Sequence, residues 1–181
     1  MLRHSLFAAA LLSLLACGGE PKKAEGEAAP AVVAAEQDIG YDLRRLRPRN
    51  DETLEAMFGR MREGALAEGK RVAVLFSADW CEPCRILDAE LGNRHPASQI
   101  GDVRILEIKE EDWQGATRMD EFNALRERWT DINGSYPFFV LLDPKGQKIE
   151  EMKEAKERLE AKGVEPTLAA WFAEGRTEAA S

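Results

Sequence analysis

Two cysteines, Cys81 and Cys84, stand two residues apart in Trp80-Cys81-Glu82-Pro83-Cys84, directly after the apolar run Val72-Ala73-Val74-Leu75-Phe76. A thiol pair at this spacing, placed where a strand gives way to a helix, can close a small disulfide and open it again by exchange. The spacing also serves zinc sites, and a permanent stabilising disulfide satisfies it equally well. The soft ligand left over for a metal is His95, which reads most simply as an exposed residue of the loop Asn93-Arg94-His95-Pro96. Trp80 and the internal Pro83 narrow the choice, because a bare metal clip has no need of either.

The chain of 181 residues has room for one ordinary domain with extensions, and a 44% apolar content is enough for a packed core. A formal net charge of −8 speaks against a basic nucleic-acid surface. No run of about 18 apolar residues is present, so no membrane-spanning helix is expected. The third cysteine, Cys17, leaves an odd count that needs an explanation.

The amino terminus supplies it. Residues 1–16 combine Arg3 with an apolar run from Leu6 to Leu15 that is too short to span a bilayer, the pattern of a secretory signal peptide. The end of that run, Leu14-Leu15-Ala16-Cys17, resembles the bacterial lipobox, which implies that Cys17 is lipidated and becomes the first residue. Cys81 and Cys84 then form a closed pair in an oxidising compartment. Gly18 in place of Asp leans toward an outer-membrane anchor under one sorting rule and leaves inner versus outer membrane open. From Gly18 to about Gln37 the composition is Gly, Glu, Lys, Pro and Ala, too poor in large apolar groups to offset chain entropy. Such a tether of about 20 residues has a root-mean-square reach of about 25 Å.

The elements that must position the cysteines follow from periodicity. Residues 38–49, with Tyr41, Leu43 and Leu46 among Arg44, Arg45, Arg47 and Arg49, read as a solvated strap, or alternatively as a phospholipid-binding patch. Asn50 or Asp51 can cap a helix that Gly69 ends. Residues 71–77 form a continuous apolar strand of the kind buried on both faces of a parallel sheet. A helix over 85–91 turns Ile86, Leu87 and Leu91 inward. A loop over 92–101, with room for a short helix at 97–100, leads to a strand over 102–108, an acidic loop over 109–115 and a helix over 120–129. Pro137 opens the strand 138–142, and Asp143-Pro144-Lys145-Gly146 turns it back into a strand over 147–152. Residues 153–162 are a helix or a strap, and 165–174 a final helix. Trp113 and Trp129 read as packing groups, and the acids at 107–112 and 120–121 as a solvated face. The result is a mixed α/β sandwich.

Val72-Ala73-Val74-Leu75-Phe76-Ser77-Ala78-Asp79-Trp80-Cys81-Glu82-Pro83-Cys84 resembles the active-site strand and helix start of thioredoxins, whose motif is W-C-G-P-C. Tyr136-Pro137 ahead of a strand resembles the family's cis-proline element, and the hairpin that follows matches in order. The resemblance spans about residues 51–175 and is closest to exported, membrane-tethered relatives of the disulfide-interchange and cytochrome-maturation type. It implies a thioredoxin fold, with a central mixed β-sheet of about four strands flanked by helices. The expected organisation is a signal peptide at 1–16, a lipid-anchored linker and strap at 17–49, the domain at 50–176 and a disordered tail at 177–181.

The resemblance also implies roles. Cys81, just ahead of a helix N-terminus whose free N–H groups and dipole favour a thiolate, would attack a substrate disulfide. Cys84, one turn inward and buried, would resolve the mixed disulfide. Pro83 suits a first helical turn, Trp80 would wall the site, and Tyr136-Pro137 would present backbone to a substrate strand. Two positions depart from the family. Leu75 stands where thioredoxins bury an Asp that assists proton transfer, and Asp88, four residues after Cys84, is the candidate substitute against a plain surface role. Glu82 replaces the Gly of the motif; its charge disfavours the Cys81 thiolate and tilts the couple toward a reductant by a few tens of millivolts at about 30 mV per 1.4 kcal/mol.

The expected function is therefore an exported, membrane-tethered thiol–disulfide oxidoreductase that reduces or isomerises disulfides of envelope proteins. It would face the periplasm and need no cofactor beyond its own disulfide. A membrane thiol carrier would donate electrons, the lipid would supply the membrane contact, and nucleic acid is not expected as a partner. The alternative is a binding module of the same fold whose disulfide is structural.

Overall fold

The computed structural model describes residues 36–131 and 135–179. The expected signal peptide at 1–16, Cys17 and the expected tether as far as residue 35 lie outside the described residues, as do residues 180 and 181 of the expected tail. In chain order the elements are β1 (Asp38–Gly40), β2 (Asp42–Arg45), α1 (Leu54–Ala67), β3 (Arg71–Ser77), α2 (Glu82–Leu91), β4 (Arg94–Pro96) and α3 (Ala97–Ile100). They continue with β5 (Val103–Lys109), α4 (Glu110–Gly115), α5 (Met119–Arg126), β6 (Phe138–Leu142), β7 (Lys148–Glu151), α6 (Met152–Ala161) and α7 (Leu168–Ala179).

Among the described residues, five strands form one sheet in the order β2-β5-β3-β6-β7. β2, β5 and β3 run parallel, β6 is antiparallel to β3, and β7 folds back antiparallel on β6. Strand residues alternate between two cores, as a period of two requires. Val72, Val74 and Phe76 face α1 and α5 through Leu54, Phe58, Phe122 and Leu125. Ala73 and Leu75 face α2, α6 and α7 through Leu87, Leu159, Trp171 and Phe172. Helices on both faces explain why β3 reads as an unbroken apolar run. This helix-flanked mixed sheet is the thioredoxin fold expected from the sequence.

The sheet has one strand more than expected, and the difference lies in the segment read as a strap. Asp42–Arg45 pairs in parallel with β5, with Leu43 opposite Ile105, and Leu46 is buried beneath it. The arginines that disguised it are edge-strand charges with partners: Arg45 Nε donates to Asp112 at 2.7 Å, and Asp42 accepts from Arg104 at 2.9 Å and from Lys70. Charged side chains on an edge strand keep it from pairing with another chain. β1 pairs with β4, so His95 is a strand residue with its ring 5.4 Å from Tyr41, not a free loop residue.

Other boundaries shift for local reasons. Thr53, not Asn50 or Asp51, caps α1 by accepting from the Ala56 amide at 3.2 Å. The stretch read as an acidic loop forms α4, which buries Trp113 completely. Residues 152–161 are helical, started by a capping box between Glu151 and Glu154. Helix α7 runs to Ala179, past the expected domain end at residue 176.

Candidate active site

β3, the central strand, ends at Ser77 and α2 begins at Glu82, so Cys81 sits at the step into the helix and Cys84 in its first turn. Cys81 is the N-cap: its Sγ accepts the Cys84 backbone N–H at 3.2 Å, and Pro83 fills the first turn where no N–H is needed. The two sulfurs are joined as a disulfide, with Cα atoms 5.3 Å apart. Both residues are buried, Cys81 at 4% and Cys84 at 1% exposure, in a small cluster with Ala78 and Tyr136. The amide that touches Cys81 Sγ is one that would hydrogen-bond a thiolate there after reduction.

Trp80, Pro83, Tyr136 and Pro137 lie around the cysteines. Trp80 is 63% exposed and meets the Tyr136 ring edge-on at 5.5 Å. The Tyr136–Pro137 peptide bond is cis, and Pro137 lines a groove of about 380 Å³ with Pro83, Ile86, Leu87 and Met152, rimmed by Lys153 and Lys156. Ile86 was expected to face inward and is 67% exposed. The buried stripe of α2 is set by Cys84, Leu87 and Leu91, and position 86 lies about 200° around the helix from Cys84. Glu82 is exposed in the first turn of α2.

Asp88 lies one turn after Cys84, where its carboxylate accepts from Lys109 Nζ at 3.1 Å. The same ammonium donates to Asp79 at 2.8 Å and stands 3.9 Å from Glu107. Burial pushes the Lys109 ammonium down, but its bonds to Asp79 and Asp88 outweigh that and hold it above the ordinary lysine range.

Glu107, read from sequence as part of a solvated face, is 4% exposed in the centre of the sheet and accepts from Ser77 Oγ at 3.2 Å. It is the register partner of Leu75. A buried carboxylate thus stands one strand over from Leu75, two residues beyond Ile105 and on the same α2-facing side of the sheet. The signal was an acid in the middle of Val103–Ile108, a run that is otherwise apolar apart from Arg104. Burial raises the Glu107 carboxyl above the ordinary carboxylate range; Lys109 opposes the shift, and Asp88 adds to it.

That shift carries a sign. The native state holds the Glu107 proton more tightly than the unfolded chain does, so stability falls as pH rises from the ordinary glutamate range through the raised native value. Glu107→Gln is therefore expected to match the parent near pH 4 and to melt higher at pH 8. A melting series by circular dichroism reads the difference, and a gap that fails to widen with pH would contradict it.

Arg126 is a second residue missed from sequence. It is 2% exposed, donates to the Ser135 carbonyl at 2.7 Å, and lies over the rings of Tyr136 at 5.1 Å and Phe138 at 5.6 Å. It props the turn that holds Pro137 opposite the cysteines. Its position between Phe122 and Trp129, on the buried face of α5 and its last turn, was the available signal. Burial, followed by the Glu110 carboxylate, raises the Tyr136 phenol.

No protein-family model matches the sequence, and no curated protein matches it. Among solved structures the chain is similar to a disulphide isomerase from Xylella fastidiosa Temecula1, at 19% identity over 72% of this chain and 97% of that one, with a TM-score of 0.49. It is also similar to a wild-type thioredoxin h of poplar, at 22% identity over 67% and 92% of the two chains and a TM-score of 0.44. A third similar structure is thioredoxin O1 from Arabidopsis thaliana in the oxidized state, at 17% identity over 66% and 96%, with a TM-score of 0.41.

Proposed function

We propose that this protein is a thiol–disulfide oxidoreductase, exported and tethered to a bacterial membrane through Cys17, that reduces or isomerises disulfides of envelope proteins. One observation carries the reading: a Cys81–Cys84 disulfide caps a helix N-terminus beneath an exposed aromatic and apolar rim, opposite a cis Tyr136–Pro137 bond. In the dithiol form, the Cys81 thiolate attacks one sulfur of a substrate disulfide, forms a mixed disulfide and expels a substrate thiolate. The Cys84 thiolate then attacks Cys81 Sγ, releasing the second substrate thiol and closing the Cys81–Cys84 bond. The substrate gains two electrons and the protein loses two.

A membrane thiol carrier restores the dithiol, since soluble nicotinamide reductases are not expected outside the cytoplasm. No cofactor other than the disulfide takes part. Trp80, Ile86 and Pro137 supply an apolar bed for the substrate chain, and the Tyr136 backbone before Pro137 supplies strand-like hydrogen bonds. Asp88 and Glu107, joined through Lys109, are the carboxylates available on the Cys84 side of α2 for its proton. Glu82 weights the couple toward reduction.

Cys84→Ser in the full chain, expressed in its own envelope, is the test. Mixed disulfides through Cys81 are expected to accumulate on non-reducing gels and to disappear with dithiothreitol. The near-complete burial of both cysteines also suits a binding module with a structural disulfide. Absence of adducts, together with a wild-type disulfide that resists mild reductant, would establish that second reading.

A further inference from the structure

At the other end of the sheet the chain gathers positive charge that the redox reading does not use. Phe76 faces Phe138 near the cysteines, and Val72 faces Leu142 at the far end, so the turn from Asp143 to Gln147 lies a full strand length from the disulfide. There Glu55, Phe58, Gly59 and Arg62, one face of α1, border a cavity of about 400 Å³. Its other wall is made by Arg128, Trp129 and the turn residues Lys145, Gly146 and Gln147.

Three cations and one carboxylate line this cavity, in a chain whose formal net charge is −8. Glu55 is taken by Arg128. Asp143, the nearest acid in the turn, accepts the backbone N–H groups of Lys145 and Gln147, both at 2.8 Å, and is committed to the turn itself. Among the described residues no carboxylate pairs with Arg62 or Lys145, and the buried Arg62 Nε has no hydrogen-bond partner.

Arg62 lies against the turn. A Cβ on Gly146 would lie 2.6 Å from Arg62 Nη1, so the bare glycine lets the guanidinium rest there where a side chain would displace it. Gly146 also has φ +85°, a conformation glycine adopts without strain. Trp129 Nε1 donates to the Gly146 carbonyl at 3.0 Å and fixes the turn against the wall, and Trp129 packs edge-on to Phe58 at 5.6 Å. A guanidinium fork, an ammonium and an aromatic wall thus surround one space.

We propose that this cavity binds a phosphate monoester. Arg62 and Lys145, neither paired with a carboxylate among the described residues, match a dianion, whereas a single carboxylate would leave one of them unmatched. Arg62 offers its planar fork and Lys145 a mobile point charge, the pairing suited to phosphate oxygens. The volume exceeds that of phosphate alone and takes a small organic group against Phe58 and Trp129. Such a group belongs either to a free sugar or glycerol phosphate or to a lipid headgroup.

The test uses the full-length oxidised protein in titrations with inorganic phosphate, glycerol 3-phosphate and dihexanoyl phosphatidic acid, followed by NMR at the Gly146 amide and the Trp129 indole. Chloride at matched ionic strength is the control, because unspecific attraction is screened alike by either salt. Saturable shifts with glycerol 3-phosphate are expected, weakened at least tenfold in Arg62→Gln and at least threefold in Lys145→Gln. Lys162→Gln, on a remote helix end, should bind as the parent does. Binding of the phosphatidic acid at least tenfold tighter than glycerol 3-phosphate identifies a lipid headgroup; equal binding identifies a free phosphate ester. Shifts no larger than those with chloride, or undiminished binding in the exposed and readily tolerated Lys145→Gln variant, would overturn the proposal.

Discussion

Cys81→Ser is expected to lower disulfide exchange with a model substrate such as insulin at least a thousandfold, to the uncatalysed background. A serine hydroxyl at neutral pH is neither ionised nor able to form the mixed disulfide, and loss of a covalent nucleophile is among the largest single-residue effects known. Cys84→Ser should behave differently. It keeps the attacking sulfur at the helix N-cap with its amide donor, so the first attack persists while turnover stops. Both variants lose the same disulfide, whose small loop is worth about 2 kcal/mol by the chain-entropy estimate. Their stabilities should therefore agree while their chemistry differs. Rapid-mixing measurements of the first thiol released separate the two, and equal behaviour in both would favour the purely structural disulfide.

Leu46→Ala carries the second large effect. Leu46 is 2% exposed and belongs to the core of the α1 face, although it sits in a segment that looks like a charged leader. Truncating a buried leucine typically costs 2–5 kcal/mol, so a loss of about 3 kcal/mol and a fall in Tm of about 10 °C are expected. A chain beginning at residue 50 goes further. It lacks β2 and therefore exposes the whole edge of β5, while Arg104, 7% exposed, loses the Asp42 carboxylate. Such a chain is expected to lose cooperative unfolding, whereas one beginning at residue 36 should retain it. Urea denaturation of the pair would reveal the domain's true start; a cooperative transition in the shorter chain would return the segment to the status of a strap.

The contrast between β3 and β2 shows what was legible in the sequence. β3, β6 and the hairpin turn could be placed to the residue or nearly so, because a strand buried on both faces leaves an uninterrupted apolar run and a turn leaves Asp-Pro-Lys-Gly. β2 obeys no such pattern. Its side chains are chosen for ion pairs with Lys70, Arg104 and Asp112, residues distant in sequence, and only the folded sheet supplies those partners. At the site the cysteines, Trp80, Pro83, Tyr136 and Pro137 were legible because each carries its chemistry in its own type. Glu107 and Arg126 were not, since their meaning lies in what surrounds them: a carboxylate within a sheet, and a guanidinium beneath two rings. Ile86 was grouped with Leu87 and Leu91 because all three are apolar, but the buried stripe runs Cys84, Leu87, Leu91 and leaves position 86 beside it.

Lys109 holds Asp79, two residues before Cys81, and Asp88, four residues after Cys84, with one ammonium. The Cys81–Cys84 segment is thereby joined by ion pairs on both sides to one residue of β5. Opening the disulfide requires the two sulfurs to move apart, and while both ion pairs persist that motion is left to side-chain rotation. The oxidised and reduced proteins should then present nearly the same outline to a partner. A donor and a substrate meeting this surface would have little shape difference to tell them apart, and the order of their encounters would be governed by which sulfur is free to react.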